Sequence, residues 1–228
     1  MTRALPTRVG VFGGTFNPIH SGHLRAAEEV VEALDLERMI FVPSAQPPHK
    51  PPREGEILAK PLDRLAWVRT AIAGNPRFEV DPIEVEREGA SYMVDTLRAL
   101  RPRLGGELPA FVIGRDAFEE IESWREPSAL FTLAHFVVIS RPPARAASLR
   151  ASLPRCIAPH VELSADGRSG RHRTAGTRIL ALDIAALDIS ASDIRARLRE
   201  GRSVRYLLPE GVREAVIRSG VYGAAEDS

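Results

Sequence analysis

Cysteine is nearly absent. Cys156 stands alone in 228 residues, which rules out an intramolecular disulfide and a cysteine-based zinc site. Lysine is almost as scarce, with Lys50 and Lys60 the only two. The other basic residues are arginine, a bias that reads as genomic composition, although arginine also suits phosphate. An excess of one charge is missing as well: 31 basic against 30 acidic residues leave a formal +1. No overall field therefore selects nucleic acid or an acidic membrane as partner. No apolar run reaches the roughly 18 residues of a membrane span, and the opening MTRALPTRVGVF lacks the apolar core of a signal peptide. A cytoplasmic protein is expected. What is present is ordinary for a globular chain, 44% hydrophobic and 27% charged, and long enough to bury a core. Residues 1–228 are read as one domain whose C-terminal helical part spans about 190–222.

Arg8 to Phe12 is a short apolar run closed by Gly13-Gly14, the pattern of a buried strand. Leu24, Ala27, Val30, Val31 and Leu34 follow helical spacing, with Ser21 as the predicted N-cap. Met39 to Val42 is a second strand. Strand, helix and strand over so short a span predict a parallel unit with a right-handed crossover. Residues 43–61 hold six prolines, in a long loop of the kind that is functional or mobile. Helices are predicted over 63–73 and 91–100, and strands over 78–85, 110–113, 136–139, 161–163 and within 179–189. The stretch ADGRSGRHRTAGT, 165–177, predicts a flexible surface loop. Ser190 opens a helix through SASD, a capping box closed by Asp193, and Pro209 starts a last amphipathic helix. Alternating strands and helices predict an α/β fold with a mainly parallel sheet.

In such a sheet ligands sit beyond the carboxyl ends of the strands, where Gly13 and Gly14 lie. The glycines let a ligand approach the backbone, and the following helix directs N–H groups and its positive dipole end to the same place. That is an anion site, most naturally for phosphate. No Gly-Lys-Ser/Thr follows, so it is not a P-loop, and GxGxxG is missing, which disfavours hydride chemistry. His20 and His23 both reach the helix start, where two imidazole donors can meet one phosphoryl group. The pair could also hold a metal, but that needs further ligands.

The string GGTFNPIHSGHL resembles the signature of the HxGH nucleotidyltransferase superfamily, and within it the bacterial nicotinate-nucleotide adenylyltransferases. VPSAQPPHK (42–50), SYMVDTL (91–97), FVIGRDAFEEIESW (111–124), ISRP (139–142), ISASDIRARL (189–198) and YLLPEGVREAVIRSGVY (206–222) are similar to further segments of that family, in order. The resemblance implies a Rossmann-like sheet with helices on both faces. It implies transfer of the adenylyl group of ATP to nicotinate mononucleotide, with Mg²⁺ arriving on ATP and no metal ligand from protein side chains. It implies catalytic roles for His20, His23 and Arg195. ATP would meet Gly13, Gly14, Thr15, Phe16, Gly114, Asp116, Ile189, Ser190 and Ser192. The mononucleotide would meet Asn17, Lys50, Met93, Trp124, Arg125 and Arg141, with Trp124 stacked on the pyridine ring.

Two positions depart from the family. Met93 stands where threonine is usual and cannot donate a hydrogen bond, which leaves nicotinate against nicotinamide open. Ser192 replaces threonine and keeps the hydroxyl. The alternatives are another phosphorylated acceptor such as phosphopantetheine, and a nucleotide sensor without turnover. An RNA-binding synthetase fragment is disfavoured by the short, nearly neutral chain. The oligomeric state is open, a homo-oligomer included.

Overall fold

Period-two apolar patterning sorts the strand residues onto two faces of one sheet. Val9 and Val11 join Ile40, Val42, Phe111 and Ile113 in one buried layer, while Phe12 joins Met39, Phe41, Ala110 and Val112 in the other. The structure, a computed structural model, describes residues 5–47, 57–140, 148–185 and 187–223. In chain order the elements are β1 (Val9–Gly14), α1 (Ser21–Leu34), β2 (Arg38–Pro43), α2 (Pro61–Ile72), β3 (Phe78–Val80), α3 (Met93–Arg103), β4 (Ala110–Gly114) and α4 (Arg115–Glu119). They continue as α5 (Pro127–Leu133), β5 (His135–Ser140), α6 (Leu149–Ser152), β6 (Val161–Leu163), β7 (Ser169–His172), β8 (Arg178–Asp183), α7 (Ala191–Arg199) and α8 (Glu210–Ser219).

The strand order is β3-β2-β1-β4-β5-β8-β7-β6. The first six strands are parallel, and at the far edge β7 runs antiparallel to both of its neighbours, β8 and β6. One face is covered by α1, α2, α7 and α8, through residues such as Val30, Val31, Trp67, Val68, Ile194, Leu198, Val212 and Val216. The other face is covered by α3 and α5, through Val94, Leu97, Leu100, Leu130 and Phe131. The α/β reading with helices on both faces therefore holds. From β1 the chain first builds outward to β2 and β3, then returns to place β4 on β1's other side. This reversal opens a crevice beyond the carboxyl ends of β1 and β4.

Three expectations need correction. Residues 165–177 are not simply a loop: they contain β7, which pairs with both β6 and β8. Gly170 lets the strands close, because a Cβ there would lie 2.7 Å from Val161 Cγ1 and 3.0 Å from Leu163 Cδ2. A strand of Ser-Gly-Arg-His gets its burial from these neighbours, not from its own hydrophobicity. β3 stops at Val80, where the Asp81 carboxylate accepts the Ile83 N–H at 2.9 Å and turns the chain. The N-cap of α1 is His20, not Ser21.

Candidate active site

The β1–α1 turn is built largely from its own side chains. A Cβ on Gly13 would lie 2.4 Å from the Met93 methyl, and one on Gly14 would lie 2.9 Å from the Phe16 ring. Packing of Met93 and Phe16 is therefore one reason why these two positions are glycine. Phe16 is buried in a left-handed conformation, φ +47°, its ring edge-on to His23 at 5.2 Å. His20 and His23 stack with centroids 3.7 Å apart. Gly22 makes room for that stack, since a Cβ there would lie 3.0 Å from His20 Nδ1.

The N–H of His20 donates to Nδ1 of His23 at 3.3 Å. His23 thereby fills the position that Glu or Gln takes in a capping box. An Nδ1 that accepts leaves the ring proton on Nε2, so His23 presents an Nε2–H donor. The backbone donors are fewer than the helix start alone suggests. The Ser21 N–H goes to the Leu207 carbonyl at 3.0 Å and that of His23 to the His20 carbonyl at 2.9 Å. Among the described residues, no protein group accepts from the N–H of Thr15, Phe16 or Gly22.

Buried polar groups hold the turn from behind. The Asn17 amide donates to the Ile57 carbonyl at 2.9 Å, accepts the Ala59 N–H at 3.0 Å, and accepts the Tyr222 hydroxyl. Asn17 was expected at the mononucleotide, yet its side chain is engaged with the protein. Arg195 donates through Nη1 to the Asn17 carbonyl at 2.7 Å, and its Nη2 lies 3.5 Å from Ser192 Oγ. Arg64, on α2, donates to the carbonyls of Thr15, Ala45 and Ala59 at 2.6, 3.0 and 2.9 Å. Sequence reasoning missed Arg64. The signal was there: Arg64, Val68 and Ile72 fall four residues apart, so an arginine occupies the apolar stripe of α2.

A second helix start meets this one. Ile189 Cβ would lie 3.5 Å from a Cβ on Gly22, which puts the mouth of α7 beside that of α1. Ser190 caps α7, its hydroxyl accepting the Asp193 N–H at 3.1 Å, as expected from SASD. Asp193 does not complete a reciprocal box; its carboxylate pairs with Arg197 at 2.7 Å. Across the crevice Gly114 ends β4 in open space, with nothing within 4 Å of a Cβ built on it. Gly114 is the N-cap of α4. Asp116 is exposed one residue into that helix, and no group among the described residues pairs with its carboxylate.

The start of α3 forms the other end of the crevice. Tyr92 is its N-cap and Met93 its first residue. The Arg125 guanidinium lies over the Tyr92 ring at 4.8 Å and 3.6 Å from Asp95. Trp124 meets Phe111 edge-on at 6.4 Å, and Arg98 grips Glu126 through two bonds at 3.1 and 2.6 Å. Met93, Trp124 and Arg125 are thus brought to one place. Ser91 ties this end to the chain leaving β2, its hydroxyl accepting the N–H groups of Ala45 and Gln46 at 2.9 and 3.2 Å. Behind it, burial pushes the Glu84 carboxyl above its ordinary range. Lys50 and Arg141 lie outside the described residues.

A mainly parallel sheet reversing at β1 and β4, with stacked histidines and unused N–H groups at the reversal, is the fold of an α/β nucleotidyltransferase. The cytidylyltransferase-like family profile matches residues 11–197, and the chain belongs to that family. Within it, the chain belongs to the nicotinate-nucleotide adenylyltransferases. It is 44% identical over 216 residues to the probable nicotinate-nucleotide adenylyltransferase of Geobacter metallireducens, covering 94% of this chain and 98% of that one. It is 45% identical over 218 residues to the one of Halorhodospira halophila, covering 94% and 95%. The fold is similar to that of Plasmodium falciparum nicotinic acid mononucleotide adenylyltransferase complexed with NaAD. The TM-score is 0.70 at 15% identity, over 95% of this chain and 97% of that one.

Proposed function

We infer that the protein transfers the adenylyl group of ATP to nicotinate mononucleotide, releasing pyrophosphate and forming deamido-NAD, in the cytoplasm. The observation that carries this is the stacked His20–His23 pair at the mouth of α1. It stands beside three backbone N–H groups that no described protein group uses, in a chain whose family performs this transfer. An oxygen of the acceptor 5′-phosphate attacks the α-phosphorus of ATP. The bond from that phosphorus to the bridging oxygen breaks, and pyrophosphate leaves with the electron pair. The nucleophile is already ionised, so the site needs no strong base, and its work is positioning and charge stabilisation.

His23 Nε2–H and His20 face the triphosphate, the N–H groups of Thr15, Phe16 and Gly22 follow its oxygens, and Arg195 and Ser192 close it from α7. Ser190 caps the same helix, and Ile189 seats it against α1. Asp116, beside the open space at Gly114, accepts the adenosine ribose hydroxyls. Trp124 stacks on the pyridine ring, and Arg125 meets its carboxylate. Apart from the two histidines these groups are donors or lie away from them, and no trio of His, Cys, Asp or Glu among the described residues is placed to hold a metal. The set fits a magnesium ion ligated by phosphate oxygens and water, where it would neutralise the triphosphate.

Met93 bears on the acceptor. Its methyl sits on Gly13, so no side-chain hydroxyl reaches the pyridine substituent from this position. The N–H groups of Met93 and Val94, in the first turn of α3, have no acceptor among the described residues and favour an anionic carboxylate. Pyrophosphate release with nicotinate and nicotinamide mononucleotides, compared at equal concentrations, tests the reading. Higher kcat/KM with nicotinate is expected; preference for nicotinamide, or release with neither, defeats it.

A further inference from the structure

Arg64 takes no part in the chemistry above, yet none of its surface is exposed. No carboxylate pairs with it among the described residues; its three partners are the backbone carbonyls of Thr15, Ala45 and Ala59. A buried cation without a counter-ion is costly. Burial pulls its pKa down to about 10, which still leaves it charged near neutrality. An apolar side chain would fill the same stripe of α2 without that cost, so the guanidinium must be explained by what it holds.

It holds the peptide that precedes Phe16. In a trans peptide the carbonyl and the N–H point in opposite directions. Drawing the Thr15 carbonyl inward at 2.6 Å therefore turns the Phe16 N–H outward, and that N–H has no acceptor among the described residues. Phe16 itself sits at φ +47°, a conformation an aromatic residue keeps only when its surroundings over-determine it. The carbonyls on both sides of it are gripped by buried arginines, Thr15 by Arg64 and Asn17 by Arg195. The same Arg64 fork fixes Ala45, just past β2, and Ala59, just before α2. Ala59 is held twice, because its N–H is bound by Asn17.

We propose that Arg64 is a positioning residue for adenylyl transfer: its fork locks the left-handed turn so that the Phe16 N–H faces the phosphates, and its charge adds a fixed positive potential behind them. This rests on the function inferred above. The test uses Arg64→Lys, which keeps the charge but cannot span three carbonyls, and Arg64→Ala, which leaves a space for free guanidinium. Arg64→Lys is expected to unfold cooperatively and to lose kcat about a hundredfold, with KM for the mononucleotide unchanged. Arg64→Ala is expected to regain turnover with millimolar guanidinium chloride but not with sodium chloride of equal ionic strength. Wild-type kcat in Arg64→Lys overturns the proposal. So does equal response of Arg64→Ala to both salts, or failure of both variants to fold, which would make Arg64 a folding residue only. Wild-type protein inactive with every mononucleotide would instead defeat the function, and calorimetric ATP affinity would then decide. Weaker ATP binding by folded Arg64→Lys supports the proposal, and equal binding overturns it.

Discussion

At the β1–α1 turn the polar partners lie inside the protein, whereas around Trp124 they stand half in solvent. Arg64, Asn17 and Arg195 are buried and spend themselves on backbone carbonyls and amides. Arg125, Asp95, Arg98 and Glu126 keep 52%, 34%, 46% and 43% of their side chains exposed and hold one another. Buried bonds to backbone fix a turn in one shape, while exposed ion pairs are weak and adjustable. A triphosphate is the same in every ATP, so under the function proposed above a rigid donor set serves it. The acceptor is what distinguishes one adenylyltransferase from another, and the same proposal assigns it to the adjustable end. The departure at Met93 falls at that end, as this division leads one to expect.

The division is broken most directly at the histidines. His23→Ala removes the Nε2–H donor, and a loss of about 10²–10³ in kcat is expected, with only a modest fall in thermal midpoint from the lost capping bond to the His20 N–H and the lost ring contacts with Phe12 and Phe16. His20→Ala should cost turnover similarly, with some added loss of stability because His20 is 4% exposed and serves as N-cap. Steady-state pyrophosphate release, read beside thermal unfolding, checks both. Near wild-type turnover in either variant would remove the phosphate end from the chemistry.

Acid offers a second cut, because it acts away from the site. His135, at the opposite end of the sheet, is the group that carries it. It is buried, its Nδ1 accepts the Arg178 N–H at 2.9 Å, and desolvation first, then the Arg178 charge, lower its pKa from 6.5 to about 4 while Glu107 opposes them. The unfolded chain therefore takes up a proton that the folded chain refuses. Stability should be full above pH 6.5, fall by about 3 kcal/mol towards pH 4, and level off below. Urea unfolding of His135→Asn should lose that slope whatever its baseline. An unchanged slope would assign the acid sensitivity to a group other than His135.

Much of the fold was legible because it rests on local pattern. β1, α1 and β2 follow from apolar period and glycine punctuation, and α7 from the Ser190 cap. Legibility failed where a neighbour decides the structure. β7 is a strand because Val161 and Leu163 close over Gly170, and nothing in Ser-Gly-Arg-His announces that. At the site, the histidines, Gly114, Trp124 and the α7 start were readable as a motif in order. Arg64 was readable only as an arginine in an apolar stripe; what it holds was not, since its partners are carbonyls, and a carbonyl has no letter in a sequence. The glycines were read as room for ligand, and the sequence did not announce that a Cβ on Gly13 or Gly14 would also meet Met93 or Phe16.

The smallest effect is the sharpest test of the adjustable end. Trp124 is partly buried, packs against the apolar layer and meets Phe111 edge-on at 6.4 Å, and under the proposed function its ring also carries the pyridine. Stacking a heterocycle on an aromatic side chain contributes about 1–3 kcal/mol, which places the expected rise in KM for the mononucleotide near tenfold for Trp124→Ala. KM for ATP should hold, because Gly114 and the β1–α1 turn are untouched, and kcat should fall little once the acceptor saturates. Varying each substrate in turn separates these terms. A rise in KM for ATP matching that for the mononucleotide would mean that Trp124 braces the whole crevice through Phe111 and β4, and the two ends would then be one mechanical unit.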